Sequence, residues 1–204
     1  MNLSQDLQTL FQNENKITFQ DFLEQTRSKS YSFLLILLAL PAALPVPAPG
    51  YATPFGLVLV LLGLQILTAR QTPWFPEWAL KKELPVTKGS KLLGAMIKFL
   101  KFFEIFLRPR LRFLTRGAGY RLLGLLVALC GASMIIPLPL TNTVPSFGIF
   151  IIGLALLEED GLAALAGAVS ALTGLVLSGT LIYFYVRLGE AGITLVENWL
   201  SNLF

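Results

Sequence analysis

The chain has 204 residues, 54% of them hydrophobic and only 14% charged, with a net charge of +4. Soluble domains carry roughly 25% charged residues, so this composition points to a membrane. There is no histidine and a single cysteine, Cys130, which excludes imidazole acid–base chemistry, histidine metal ligation and an internal disulfide.

The N-terminal stretch Met1 to Glu24 is polar and acidic, without the basic, apolar, small-residue order of a cleaved signal. Leu3, Leu7, Leu10 and Phe11 share one helical face. Thr18 followed by Asp21 three residues on predicts a capped helix over about Phe19–Lys29, lying at the membrane interface or on the core.

Tyr31 to Leu44 is an apolar run of about 21 Å as helix, short of the roughly 30 Å of a hydrocarbon core. Pro41, Pro45, Pro47 and Pro49 remove amide donors and are expected to break it. After Pro54 a second short run, Phe55 to Ala69, contains Gln65. The same design returns later: Leu122 to Ile136, a break at Pro137 and Pro139, the polar insert Thr141-Asn142-Thr143, then Pro145 and the run Phe147 to Leu157. A shift of 92 places Pro45 on Pro137, Pro47 on Pro139, Phe55 on Phe147 and Gly56 on Gly148. The expectation is one all-α membrane domain over 1–204. It holds repeat 1 (19–107) and repeat 2 (108–204), each a proline-broken helical hairpin that reads first as re-entrant and, alternatively, as a single irregular span with wet ends.

Between the hairpins the chain is basic. Arg70 to Arg121 holds 12 Lys/Arg and three acids, a net of +9, so the remainder sums to −5. Pro73, Trp74, Phe75, Pro76 and Trp78 read as an interfacial aromatic belt. Ser90 to Leu107 reads as a basic amphipathic helix. Arg108, Arg110, Arg112, Arg116 and Arg121 read as cytoplasmic retention charges that contact anionic lipids. No finger, recognition helix or aromatic–basic strand pattern accompanies the charge, so no nucleic-acid partner is expected.

Gly161 to Val186 is the one apolar segment long enough to cross alone. Its small residues Gly167, Ala171, Gly174 and Ser178 permit close helix contact, which suggests a homodimer interface. Leu188 to Phe204 reads as an interfacial helix.

No zinc spacing, nucleophile elbow or phosphate loop is present, so neither an enzyme nor a cofactor or metal site is expected. A helix that stops inside a membrane leaves free backbone groups whose dipoles can hold a small solute or ion. The helix-break residues are Pro45, Pro47, Pro54, Pro137, Pro139 and Pro145, and Thr53, Gln65, Thr141, Asn142 and Thr143 are the candidate substrate-binding side chains. Glu158 and Asp160 in the acidic triplet after the second hairpin are candidates for gating or ion coupling.

These blocks also carry a resemblance. LPVPAPG with TPFG and Gln65, then Pro73-Trp74-Phe75-Pro76, then IPLP-x-x-N-x-x-P, then Leu156-Leu157-x-x-Asp160-Gly161, over roughly residues 18 to 190, resemble the ExoD family. The resemblance implies a multi-pass bacterial inner-membrane protein linked to exopolysaccharide production. Joined to the broken helices, the expected function is transport of a small polar solute or ion, with an indirect link to exopolysaccharide. The alternative is a non-catalytic assembly or regulatory factor.

Overall fold

The computed structural model describes residues 18–26, 29–43, 52–82, 107–136, 142–189 and 198–199. The basic stretch 90–106 and most of 188–204, where interfacial helices are expected, lie outside the described residues, as do Thr141, Pro45, Pro47, Pro137 and Pro139.

Seven α-helices are described: α1 (Phe19–Thr26), α2 (Ser30–Ala43), α3 (Ala52–Leu67), α4 (Glu77–Leu80), α5 (Gly117–Ile135), α6 (Thr143–Glu158) and α7 (Gly161–Leu188). Helix α1 begins where the local chemistry predicts. The Asp21 carboxylate accepts from the Thr18 amide at 2.9 Å, and the Asp21 amide donates to the Thr18 hydroxyl at 3.2 Å.

Pro41, Pro54 and Pro145 act differently from the expectation. Pro41 sits inside the last turn of α2, which continues to Ala43. Pro54 and Pro145 occupy the third positions of α3 and α6. An amide there has no intrahelical acceptor, so a proline costs nothing and its fixed φ favours the first turn. Both residues start helices rather than break them.

Helix α5, with 19 residues, is longer than its apolar core suggests, because Gly117 to Arg121 joins it. Gly117–Ile135 and Gly161–Arg187, with mean hydropathies of 1.6 and 1.8, are both long and apolar enough to cross a membrane. The other apolar helices are α2, α3 and α6, of 14, 16 and 16 residues.

The packing crosses between the two proline-broken units. Helix α3 packs chiefly on α5, and α2 packs on α6. Contacts inside each unit, α2 with α3 and α5 with α6, are much slighter. Glycine decides the α3–α5 pair. Gly56 and Gly63 on α3 meet Gly131 and Gly124 on α5, and a Cβ on Gly63 would lie 2.4 Å from the Ala128 amide. Two glycines seven apart on each helix let the backbones touch.

Helix α6 is central, packed on both α2 and α7. Only Phe147 among its residues is exposed. Gly153 abuts Ile36 of α2, and Gly148 abuts Ala171 of α7. The small face of α7 is therefore occupied: Gly167 lies on Ile152, Ala171 on Gly148 and Gly174 on Pro145. It serves this intramolecular contact and is not a free dimer surface. Among the glycines within α7, Gly179 opens onto empty space. The outward face of α7 exposes Leu162, Leu165, Val169, Leu172 and Val176.

These contacts fix direction. Gly63 faces Gly124 while Gly56 faces Gly131, so α3 and α5 are antiparallel. The start of α2, the end of α3, the start of α5, the end of α6 and the start of α7 gather at one end. That is the loop end; the end of α2, the start of α3, the end of α5 and the start of α6 lie at the other, the tip end.

Candidate functional site

At the tip end, the Thr53 hydroxyl in the first turn of α3 donates to the Ile135 carbonyl, in the last turn of α5, at 3.4 Å. That carbonyl is one of the unpaired acceptors of a helix C-terminus. Asn142 holds the N-cap position of α6 in helical geometry (φ −98°, ψ −42°), and its side chain does not cap the helix. Its carbonyl accepts from the Ser146 amide at 3.1 Å and from the Ser146 hydroxyl. The same hydroxyl, fully buried, lies 3.5 Å from the Met134 sulfur. Thr143 is the first residue of α6 and half-buried. Thr53, Asn142 and Thr143 are thus brought to one end, on either side of the C-terminus of α5.

Gln65 does not join them. It lies twelve residues beyond Thr53 on α3, about 18 Å along the axis, and is buried at the opposite end. Its side-chain oxygen accepts from the Trp74 amide at 2.6 Å and from the Tyr31 hydroxyl at 3.4 Å, while its amide donates to the Trp74 carbonyl at 3.2 Å. This pairing with one residue's backbone holds the Pro73-Trp74-Phe75-Pro76 loop against α3. Phe75 in turn meets Phe19 of α1 edge to face at 5.0 Å. Gln65 shapes the loop end; it is not at the tips.

Glu158 and Asp160 are at that loop end too. Asp160 is only 1% exposed and caps α7. One carboxylate oxygen accepts from the amides of Leu162 and Ala163 at 2.9 and 3.3 Å. The other accepts from the Arg108 amide at 3.1 Å and the Arg110 side chain at 3.3 Å. The Gly161 amide completes the seam by donating to the Arg110 carbonyl at 2.6 Å. Desolvation pushes the Asp160 carboxyl upward, but the hydrogen bonds, led by the Arg108 amide, outweigh it and hold the pKa below 3.8. A carboxylate with four donors is a structural staple. The signal for it was present in sequence: aspartate immediately before the apolar run beginning at Gly161 is an N-cap pattern.

Beside it, Glu159 sits in the left-handed region (φ 53°) as the C-cap of α6. It pairs with Arg116 at 2.7 Å and with Arg112 at 3.2 Å. Leu111 (φ 50°) is also left-handed, and Gly161 is pressed so close to it that a Cβ would fall 2.3 Å from the Leu111 carbonyl oxygen. Among the described residues, no group of three acids or cysteines could hold a metal ion.

Sequence comparison gives this architecture a family. The family model described as "Exopolysaccharide synthesis, ExoD" matches residues 3–180. The chain is 35% identical to an uncharacterized protein of Synechocystis sp. over 206 residues, covering 99% of this chain and 97% of that protein. It is 32% identical to Protein ExoD of Rhizobium meliloti over 194 residues, 93% of this chain and 77% of that protein. No solved structure matches. The chain belongs to the ExoD family of exopolysaccharide synthesis proteins.

Proposed function

We propose that this ExoD-family chain is a membrane transporter of a small polar solute or ion, indirectly linked to exopolysaccharide synthesis. Its two broken hairpins enter the bilayer from one face. One observation carries the reading. Gly174, level with the start of α6, stands halfway along α7. If α7 crosses the membrane, the start of α6 and, beside it, the start of α3 lie near its middle, and residues 175–188 continue about 21 Å beyond them. The first turns of α3 and α6 then direct their positive dipole ends to mid-depth, beside the hydroxyl and amide groups of Thr53, Asn142 and Thr143. Because α3 and α6 both start at the same end, this reading takes the two units as parallel rather than inverted repeats.

The test is flux in proteoliposomes containing the full chain, across a panel of amino acids, sugars and inorganic ions. Asn142→Ala is expected to lower flux at least several-fold while the protein stays folded by circular dichroism. Absence of flux for every solute sinks the reading. The exposed aromatic and basic groups at the other end, Trp74, Trp78, Phe113 and Arg108, favour a second reading as an assembly or regulatory factor. It predicts co-purification with polysaccharide-synthesising machinery that is lost when these exposed residues are replaced.

A further inference from the structure

At the loop end, between α1, residues 69–73 and the start of α5, lies an open cleft of about 920 Å³. Its floor is apolar: Leu23 and Pro73 are buried, and Leu80 is half-buried. Its walls carry Gln20, Glu24, Arg70, Gln71, Thr72 and Tyr120. That set holds one cation, one carboxylate, two amides and two hydroxyls, facing one volume.

Arg70 separates this cleft from the arginine cluster nearby. Arg110 pairs with Asp160, and Arg112 and Arg116 pair with Glu159. The Arg70 guanidinium has no carboxylate partner among the described residues. Its backbone is nevertheless fixed. The Arg70 amide donates to the Gln65 carbonyl at 3.0 Å and the Ala69 amide to the Ile66 carbonyl at 2.8 Å, with Ala69 left-handed at φ 54°. This closes α3 in the manner usually reserved for glycine. Gln65 fixes the same loop from below through Trp74. The hydrogen-bonded loop thus presents a guanidinium with no ion-pair partner among the described residues, whose planar fork matches phosphate oxygens. Amides, hydroxyls and a carboxylate suit a hydroxylated ligand, because each can accept from or donate to a hydroxyl.

We infer that this cleft binds a phosphate carried on a polyhydroxylated group, a sugar phosphate or glycerol phosphate, with Arg70 on the phosphate and Gln20, Glu24, Gln71 and Thr72 on the hydroxyls. The exposed Trp74 and Trp78 beside it suit the headgroup layer of a membrane, so the phosphate can arrive on a lipid or free in solution. The inference concerns the opposite end from the hairpin tips and stands independently of solute transport.

The test uses the full chain in detergent, with Trp78→Phe and Trp199→Phe so that Trp74, on the cleft loop, is the sole reporter. Its fluorescence is titrated with glucose, glucose 1-phosphate and dioctanoyl phosphatidylglycerol. Saturable change is expected with at least one phosphate probe and not with glucose. Response to glucose 1-phosphate marks a soluble source, and response to phosphatidylglycerol alone marks a lipid. Arg70→Gln should weaken binding about tenfold or more, as loss of a charge-assisted hydrogen bond does. Arg70→Lys should weaken it less, and Arg112→Gln should leave it unchanged. Gln71→Ala with Thr72→Ala keeps the charge and should weaken the hydroxylated phosphate probes by several-fold. Equal binding by Arg70→Gln and Arg112→Gln, or no saturable response to either phosphate probe, overturns the inference.

Discussion

The two ends of the helix bundle satisfy their backbone by opposite means. At the loop end, carboxylates, arginines and an amide side chain reach across sequence separations of up to about fifty residues: Asp160 to Arg108, Glu159 to Arg116, Gln65 to Tyr31. Three non-glycine residues, Ala69, Leu111 and Glu159, accept left-handed backbone there. At the tip end the described contacts come from neutral groups: a threonine hydroxyl on a helix-terminal carbonyl, a serine folded back on Asn142, and prolines that need no acceptor. Charge suits an end that meets water and headgroups, where ionised groups stay solvated. Neutral caps are what the proposed mid-membrane placement would require, because an unpaired charge there is costly.

Breaking the charged end should have the largest effect. Asp160→Ala strips two helix amides, the Arg108 amide and Arg110 of their acceptor, and should cost about 3 kcal/mol of stability in a denaturant titration of the detergent-solubilised protein. The carboxyl has a folded pKa below its usual 3.8, so its contribution is complete above the unfolded value and fades as pH falls through the folded one. Acid destabilisation below about pH 4 should therefore be shallower in Asp160→Asn than in the wild type.

Next comes the helix seam that joins the two ends. Gly63→Val forces a side chain into backbone that already stands 2.4 Å from where Cβ would fall, and should cost about 2–3 kcal/mol. Gly179→Val enters open space and should be neutral or stabilising by a few tenths of a kcal/mol. If both substitutions behave alike, the α3–α5 contact does not hold the fold.

The neutral end should respond less. Thr53→Val removes one long hydrogen bond and should cost about 0.5–1 kcal/mol, measured in the same titration. A loss as large as that of Asp160→Ala would erase the contrast between the ends. The smallest effect has the opposite sign. Ala69→Gly relieves a left-handed residue and should raise stability by about 0.5 kcal/mol.

Much of the helix content was legible, because long apolar runs bounded by proline, charge and an Asp-Gly step leave few alternatives. The Thr18–Asp21 cap was legible for the same local reason. Partner choice was not. Helices α2, α3 and α6 are apolar on nearly every side, so no stripe announces which face meets which neighbour, and adjacency in sequence suggested the wrong pairs. The glycines seven apart in α3 and α5 held the missing information, but only the pairing reveals that they coincide. The candidate site split for a related reason. Gln65 and Asp160 are polar groups in apolar surroundings, which looks the same in sequence whether they hold a solute or a loop. Only the donors supplied by Trp74, Tyr31, Arg108 and Arg110 distinguish the two.

Helix α6, with Phe147 as its only exposed residue, bears on how the chain is made. It is translated after α2 and α5 but before α7, and it has almost no surface of its own to offer lipid. During synthesis its outer wall is therefore missing until about Gly174 of α7 has emerged. Until then Pro145, Gly148 and Ile152 lack the α7 residues they rest on in the folded chain, and α2 is the main partner α6 already has.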